Sequence, residues 1–162
     1  LRVLEKTLGE QHVNYAGTKL NLARVLASSG RNEEARTCYE EGLPLMEAAV
    51  GSDHPNVLPY VQDFADLCTE LGNHERAATL YKRVLDYERG NAGGELLEAH
   101  AQYTIALFQA NDEQAKIECA ELMASMPDEH HLRATMVLVQ QKLEAGTPGG
   151  GAGAGQPGPS PT

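Results

Sequence analysis

The stretch NLARVLASSGRNEEARTCY (residues 21–39) returns 42 residues further on as DFADLCTELGNHERAATLY (residues 63–81). Ala23 meets Ala65, Gly30 meets Gly72, Glu33 meets Glu75, Ala35 meets Ala77, Thr37 meets Thr79 and Tyr39 meets Tyr81. Working outward, the register continues upstream through Glu5/Glu47, Gly9/Gly51, His12/His54 and Asn14/Asn56, and Leu1, Leu43 and Leu85 stand in threefold step. Self-similarity at a fixed period of this kind marks stacked supersecondary units, none of which buries its apolar face alone.

Each period reads as two helices. The first runs over roughly 13–29, with Leu22, Val25, Leu26 and the small Ala23 on one side; the second runs over roughly 32–48, with Ala35, Cys38, Tyr39, Leu43 and Met46. Spacings of three and four give an apolar stripe. Gly30 between them can take the positive φ of a tight helix exit, and Asn32 suits an N-cap. The next unit copies this with helices over 55–71 and 74–90, Gly72 at the turn, Asn73 as cap, and Asp53 and Pro55 as N-cap and first-turn proline. Ala23, Ala35, Ala65 and Ala77 are expected where paired helices approach most closely. Tyr39 and Tyr81 offer a ring to the next unit and a hydroxyl to its edge. Pro44 falls inside a second helix, removes the bond to the Glu40 carbonyl and predicts a bend.

A third, degraded unit follows. Ala115, Cys119 and Met123 repeat the slots of Ala77, Tyr81 and Leu85 at a spacing of 38, so residues are lost in the preceding loop Gly90-Asn91-Ala92-Gly93-Gly94. Its first helix covers 95–110, with Leu96, Tyr103, Ile105, Ala106 and Leu107; a last helix over 129–145, with Leu132, Met136, Val139 and Leu143, caps the stack. The pattern predicts a half-unit at residues 1–8, so the chain is expected to enter a longer array in mid-repeat. Residues 1–145 read as one repeat array and residues 146–162 as a disordered Gly/Pro-rich tail.

Leu22-Ala23, Leu26, Gly30, Ala35 and Tyr39, with their copies Phe64-Ala65, Cys68, Gly72, Ala77 and Tyr81, resemble the tetratricopeptide repeat. The long period and the segments Leu8-Gly9-Glu10-Gln11-His12 and Val50-Gly51-Ser52-Asp53-His54-Pro55 are similar to the kinesin-light-chain subtype, whose units are joined by a Gly-x-x-His-Pro segment. The resemblance implies an all-α, right-handed superhelix of helix-turn-helix units. It also implies a protein- or peptide-binding scaffold whose first helices line a concave groove. The alternative it leaves open is a regulatory or cargo-adaptor segment of a larger motor or enzyme. Asn21 matches the subtype's Asn-Leu-Ala segment, whereas its copy here is Asp63.

Composition narrows the function further. With a net charge of −10 the chain lacks the basic footprint that nucleic acid or an anionic membrane requires. Nothing in it is apolar over 18 residues. Cys38, Cys68 and Cys119 are odd in number and far apart, with no C-x-x-C pair, which fits a reducing, cytoplasmic compartment better than a disulfide framework. No phosphate loop, nucleophile elbow or HExxH occurs, so neither an enzyme activity nor a cofactor is expected. His12 and His54 stand one unit apart, too far to share an ion, and read as linker caps. His130-His131 read as a polar helix start whose adjacent side chains diverge.

Candidate groove residues lie one or two turns from the core stripe of the first helices: Asn21, Arg24 and Ser28 in unit one, and Gln62, Asp63, Asp66 and Glu70 in unit two. Asp63, Asp66 and Glu70 share one helical face. They make either a plain solvated face or an acidic ligand strip. The strip reading gives a protein or peptide partner with basic character.

Overall fold

In the computed structural model the described residues are 2–91 and 96–146, with side chains from residue 13 onward. Seven helices follow one another: α1 (Arg2–Ser28), α2 (Asn32–Val50), α3 (Leu58–Glu70), α4 (His74–Asn91), α5 (Leu96–Gln109), α6 (Gln114–Ser125) and α7 (Arg133–Glu144). No strand occurs among the described residues. The fold is an all-α repeat superhelix, built from the pairs α1–α2, α3–α4 and α5–α6 with α7 laid against the last.

Each pair is an antiparallel hairpin closed by the same device. At Gly30 (φ 75°) the Arg31 N–H reaches back to the Leu26 carbonyl at 2.9 Å and the Gly30 N–H to Ala27 at 2.9 Å. Gly72 (φ 74°) repeats it, with Asn73 to Cys68 at 2.8 Å and Gly72 to Thr69 at 3.0 Å. These are Schellman closures, which need a left-handed residue after the helix. The third unit uses Asn111 (φ 58°) instead, with Asp112 bonded to Leu107 at 2.9 Å. Asparagine is one of the few side chains that tolerates this conformation.

The small residues sit where close approach demands them. Ala23, Ala35, Ala65, Ala77 and Ala115 are all fully buried. Tyr39 stacks on Phe64 of the following unit, ring centroids 5.2 Å apart. One core runs from α1 through α5 to the start of α6; Ala101, Cys119, Leu122, Met126, Met136 and Val139 form a second that seats α7. In this last part Leu122 is fully buried while Met123 is only partly so.

Several expectations are corrected. The break expected between a half-unit at 1–8 and a helix at 13 is absent, because α1 is continuous from Arg2. The linker after α2 ends in Pro55, whereas the matching position is Val13, so nothing forbids helix through Gly9–His12. The helix expected from 55 starts at Leu58: residues 54–57 form turns, Val57 is the cap residue and Pro59 lies in the first turn. Asn73 caps α4, accepting the Arg76 N–H at 3.3 Å; Asn32 does not cap α2, because its side chain reaches across to Glu70. Gly90 and Asn91 belong to α4 rather than to a loop, and the rest of that loop, 92–94, lies outside the described residues, as does the tail from 147. The last helix begins at Arg133, not 129. Pro44 lies inside α2, as expected.

Leu22 and Val25 are also corrected, because both are largely exposed. The buried stripe of α1 is Ala16, Leu20, Ala23 and Leu26. A helix with two apolar stripes does not announce which one has a partner. In α3 the matching Phe64 and Leu67 are buried, Phe64 under Tyr39 of α2.

Candidate functional site

Successive first helices are laced together by polar side chains. Tyr60 donates its hydroxyl to Asn21 Oδ1 at 3.1 Å, Arg24 Nε lies 2.9 Å from Asp63 Oδ2, and Gln62 Nε2 reaches Gln102 Oε1 at 3.5 Å. Second helices are joined on the other side by Arg76–Glu40 at 3.6 Å and Arg83–Glu47 at 2.6 Å. Between the first helices α1 and α3 lies a hollow of about 240 Å³. Arg24, Ala27, Ser28, Tyr39, Asp63, Asp66, Leu67 and Glu70 line it.

Five of the seven residues singled out from sequence therefore meet in one place: Arg24, Ser28, Asp63, Asp66 and Glu70. Asn21 is held outside the hollow by Tyr60. Gln62 lines a neighbouring cleft toward α5, with Pro59, Tyr87 and Gln102. The residues missed were Ala27, Tyr39 and Leu67. Tyr39 belongs to a second helix, and its stacking on Phe64 brings it under the first helices, a placement that a face-by-face reading of α1 and α3 alone does not include.

The three carboxylates have different surroundings. Asp63 is the most enclosed. Burial pushes its carboxyl above the ordinary range, Arg24 opposes that and Asp66 adds to it. Its Oδ2 is 2.9 Å from Arg24 Nε, yet it accepts no well-directed hydrogen bond, so the contact is an ion pair by proximity. Asp66 Oδ1 accepts the Tyr81 hydroxyl at 2.5 Å, and burial with this bond raises the Tyr81 phenol above its ordinary value. Glu70 Oε2 accepts the Asn32 amide at 3.2 Å. Burial likewise raises the Tyr39 phenol, with Asp63 adding to the effect, so the buried ring behind the hollow is neutral. One guanidinium faces three carboxylates. The hollow is net acidic, with Arg24 already engaged by Asp63.

Two other polar clusters lie outside the hollow. Glu98, His130 and His131 lie close enough together to ligate an ion, as do His100, Glu118 and Glu121. His130 and His131 precede α7 in a turn and stack at 4.5 Å, which corrects the diverging arrangement expected of a helix start. His130 Nδ1 accepts the Leu132 N–H at 3.3 Å, so its proton sits on Nε2, the nitrogen facing Glu98 at 3.6 Å. His100 Nε2 is 2.8 Å from Glu118 Oε2, and both are buried, with Arg89 3.6 Å away and Gln114 donating to Glu118 Oε1 at 3.1 Å. His54 does act as a linker cap, its Nδ1 accepting the Asn56 N–H at 3.1 Å; the side chain of His12 lies outside the described residues. Cys68 and Cys119 are buried, and burial raises both thiols.

The architecture defines a repeat scaffold, and comparison with known proteins agrees. Residues 14–87 match the family model described as tetratricopeptide repeat, the span that contains α2, α3, nearly all of α4 and the hollow. Repeats of this family generally mediate protein–protein interactions. No curated protein matches the chain. Among the described residues no helix is long and apolar enough to cross a membrane.

Proposed function

We propose that the protein is a protein-binding scaffold that seats a basic, extended segment of its partner in the hollow between α1 and α3. The observation that carries this reading is the charge of the lining: Asp66 and Glu70 add to an Asp63 already matched by Arg24. Each keeps one carboxylate oxygen with no bond to the protein described above. A Lys or Arg side chain in the hollow can meet both carboxylates. Binding of this type is weak, fast and salt-sensitive. Free Cys38, Cys68 and Cys119 are in keeping with a cytoplasmic setting, and the Gly51–Pro55 linker with a kinesin-light-chain-like subtype.

The test is a peptide array probed at two ionic strengths with the parent, Asp66→Asn and Glu70→Gln. Retention of Lys/Arg peptides that weakens with salt and with either substitution is expected. Preference for acidic peptides, or binding indifferent to both substitutions, removes the hollow as the site.

A further inference from the structure

Tyr15, Leu22 and Val25 on α1 are 57%, 50% and 61% exposed. One period later the same slots hold Val57, Phe64 and Leu67, which are 0%, 2% and 2% exposed. Three large apolar side chains that are solvated in unit one are thus core in unit two. For Phe64 the covering partner is visible. Phe64 lies under Tyr39, and Glu70, in the slot of Ser28, receives Asn32; both partners come from α2, the second helix of the unit before. On the outer edge of that junction Arg76 and Arg83 meet Glu40 and Glu47. The slots of Arg76 and Arg83 in unit one hold Glu34 and Glu41, which are half-exposed and already pair with Arg31 and Lys19 of their own unit, so an incoming cation would share or displace those partners. The junction is copied in its apolar part and reversed in charge.

We propose that the Tyr15–Leu22–Val25 face of α1 is a docking surface for one kind of occupant: the second helix of a further tetratricopeptide-type unit. That helix carries an aromatic ring in the slot Tyr39 holds in α2, and Lys or Arg where α2 has Glu40 and Glu47. The ring lies on Leu22 as Tyr39 lies on Phe64, and the two cations meet Glu34 and Glu41. A helix with the charges of α2 itself would set carboxylate against carboxylate, so the surface discriminates among otherwise similar helices. The reading rests on the repeat register and the α2–α3 junction, and is independent of what the hollow binds.

The test extends the chain. Residues 1–12 are replaced by a copy of residues 32–54, which preserves the 42-residue step, either unchanged or with Lys at the copies of Glu40 and Glu47. Urea midpoints and amide hydrogen exchange of α1 are measured. The Lys version is expected to raise the midpoint and to slow exchange of the α1 amides by roughly tenfold or more, the unchanged copy less so. Leu22→Asp with Val25→Asp should cancel that gain while leaving the midpoint of the unextended chain in place. The proposal is overturned if neither extension stabilises α1, if the gain survives both Asp substitutions, or if the unchanged copy docks as well as the Lys version. It is also overturned if sedimentation shows the unextended chain to be a dimer that Leu22→Asp dissociates, since the occupant is then a second copy.

Discussion

Two glycines on facing helices should respond to the same substitution with opposite signs. Gly17 lies in α1 and Gly42 in α2, both in helix interiors, where replacing glycine by alanine gains up to about 1 kcal/mol from backbone propensity and unfolded-state entropy. A methyl on Gly17 would meet only Met46 Cε, at 3.5 Å, an ordinary contact with the end of a flexible side chain. A methyl on Gly42 would stand 2.9 Å from Leu20 Cδ2 and 3.0 Å from Leu20 Cγ, and Leu20 is fully buried. Overpacking of that kind costs roughly 1–3 kcal/mol. Gly17→Ala is therefore expected to stabilise by about 0.5–1 kcal/mol. Gly42→Ala should be destabilising by up to about 2 kcal/mol once the propensity gain is subtracted. At about 2–4 °C per kcal/mol for a chain of this size, the two melting temperatures separate visibly. A second arm isolates the cause: in a Leu20→Ala background the space is vacated, and Gly42→Ala becomes stabilising, a coupling that contact residues show and distant ones do not. Urea titrations followed by helical circular dichroism give all the required midpoints. A Gly42→Ala variant as stable as Gly17→Ala, or one whose effect ignores Leu20→Ala, would refute the assignment of the tight α1–α2 crossing to these residues.

Two further predictions concern polar groups. The Asp63 carboxyl is raised by burial, so the folded state holds its proton more tightly than the unfolded chain, and stability falls as pH rises from the unfolded value through the folded one. Asp63→Asn should accordingly be at least as stable as the parent at pH 7, by no more than about 1 kcal/mol because Arg24 is exposed, and indistinguishable at acid pH where the parent is protonated; urea midpoints at both pH values decide it, and a variant less stable at pH 7 overturns the reading. His100→Ala strips Glu118 of a buried partner and should cost roughly 1–3 kcal/mol, whereas His100→Val with Glu118→Leu, which installs the residue types unit two has at Val61 and Leu80, should recover most of that loss; thermal melts of the single and double variants check it.

What the sequence revealed follows from which interactions are local. Identity at a 42-residue step fixed the units, and Gly30 and Gly72 marked hairpin turns because a left-handed exit is a requirement of a single residue. The alanines were legible because helix pairs within a unit are near neighbours in the chain. Relations across units were harder. The pairing of Arg24 with Asp63 and of Asn21 with Tyr60 depends on how far one unit slides along the next, a quantity that no single helix encodes. The acidic strip was recognisable from spacing, but its partition among Arg24, Tyr81 and Asn32 was not. Leu22 and Val25 misled because their apolar character matches Phe64 and Leu67, while the helix that would cover them has no counterpart among the described residues. The continuity of α1 was readable in principle, since Val13 replaces the proline that ends the corresponding linker.

Amide-resolved NMR titration decides whether a basic segment seats between α1 and α3. A Lys/Arg-containing peptide added to labelled protein should shift the resonances of Arg24, Ser28, Asp66 and Glu70 and leave the outer faces of α2 and α4 unmoved, with the shifts lost in Asp66→Asn/Glu70→Gln. Shifts confined to the outer faces, or shifts in the hollow that persist in the doubly substituted protein, would contradict it.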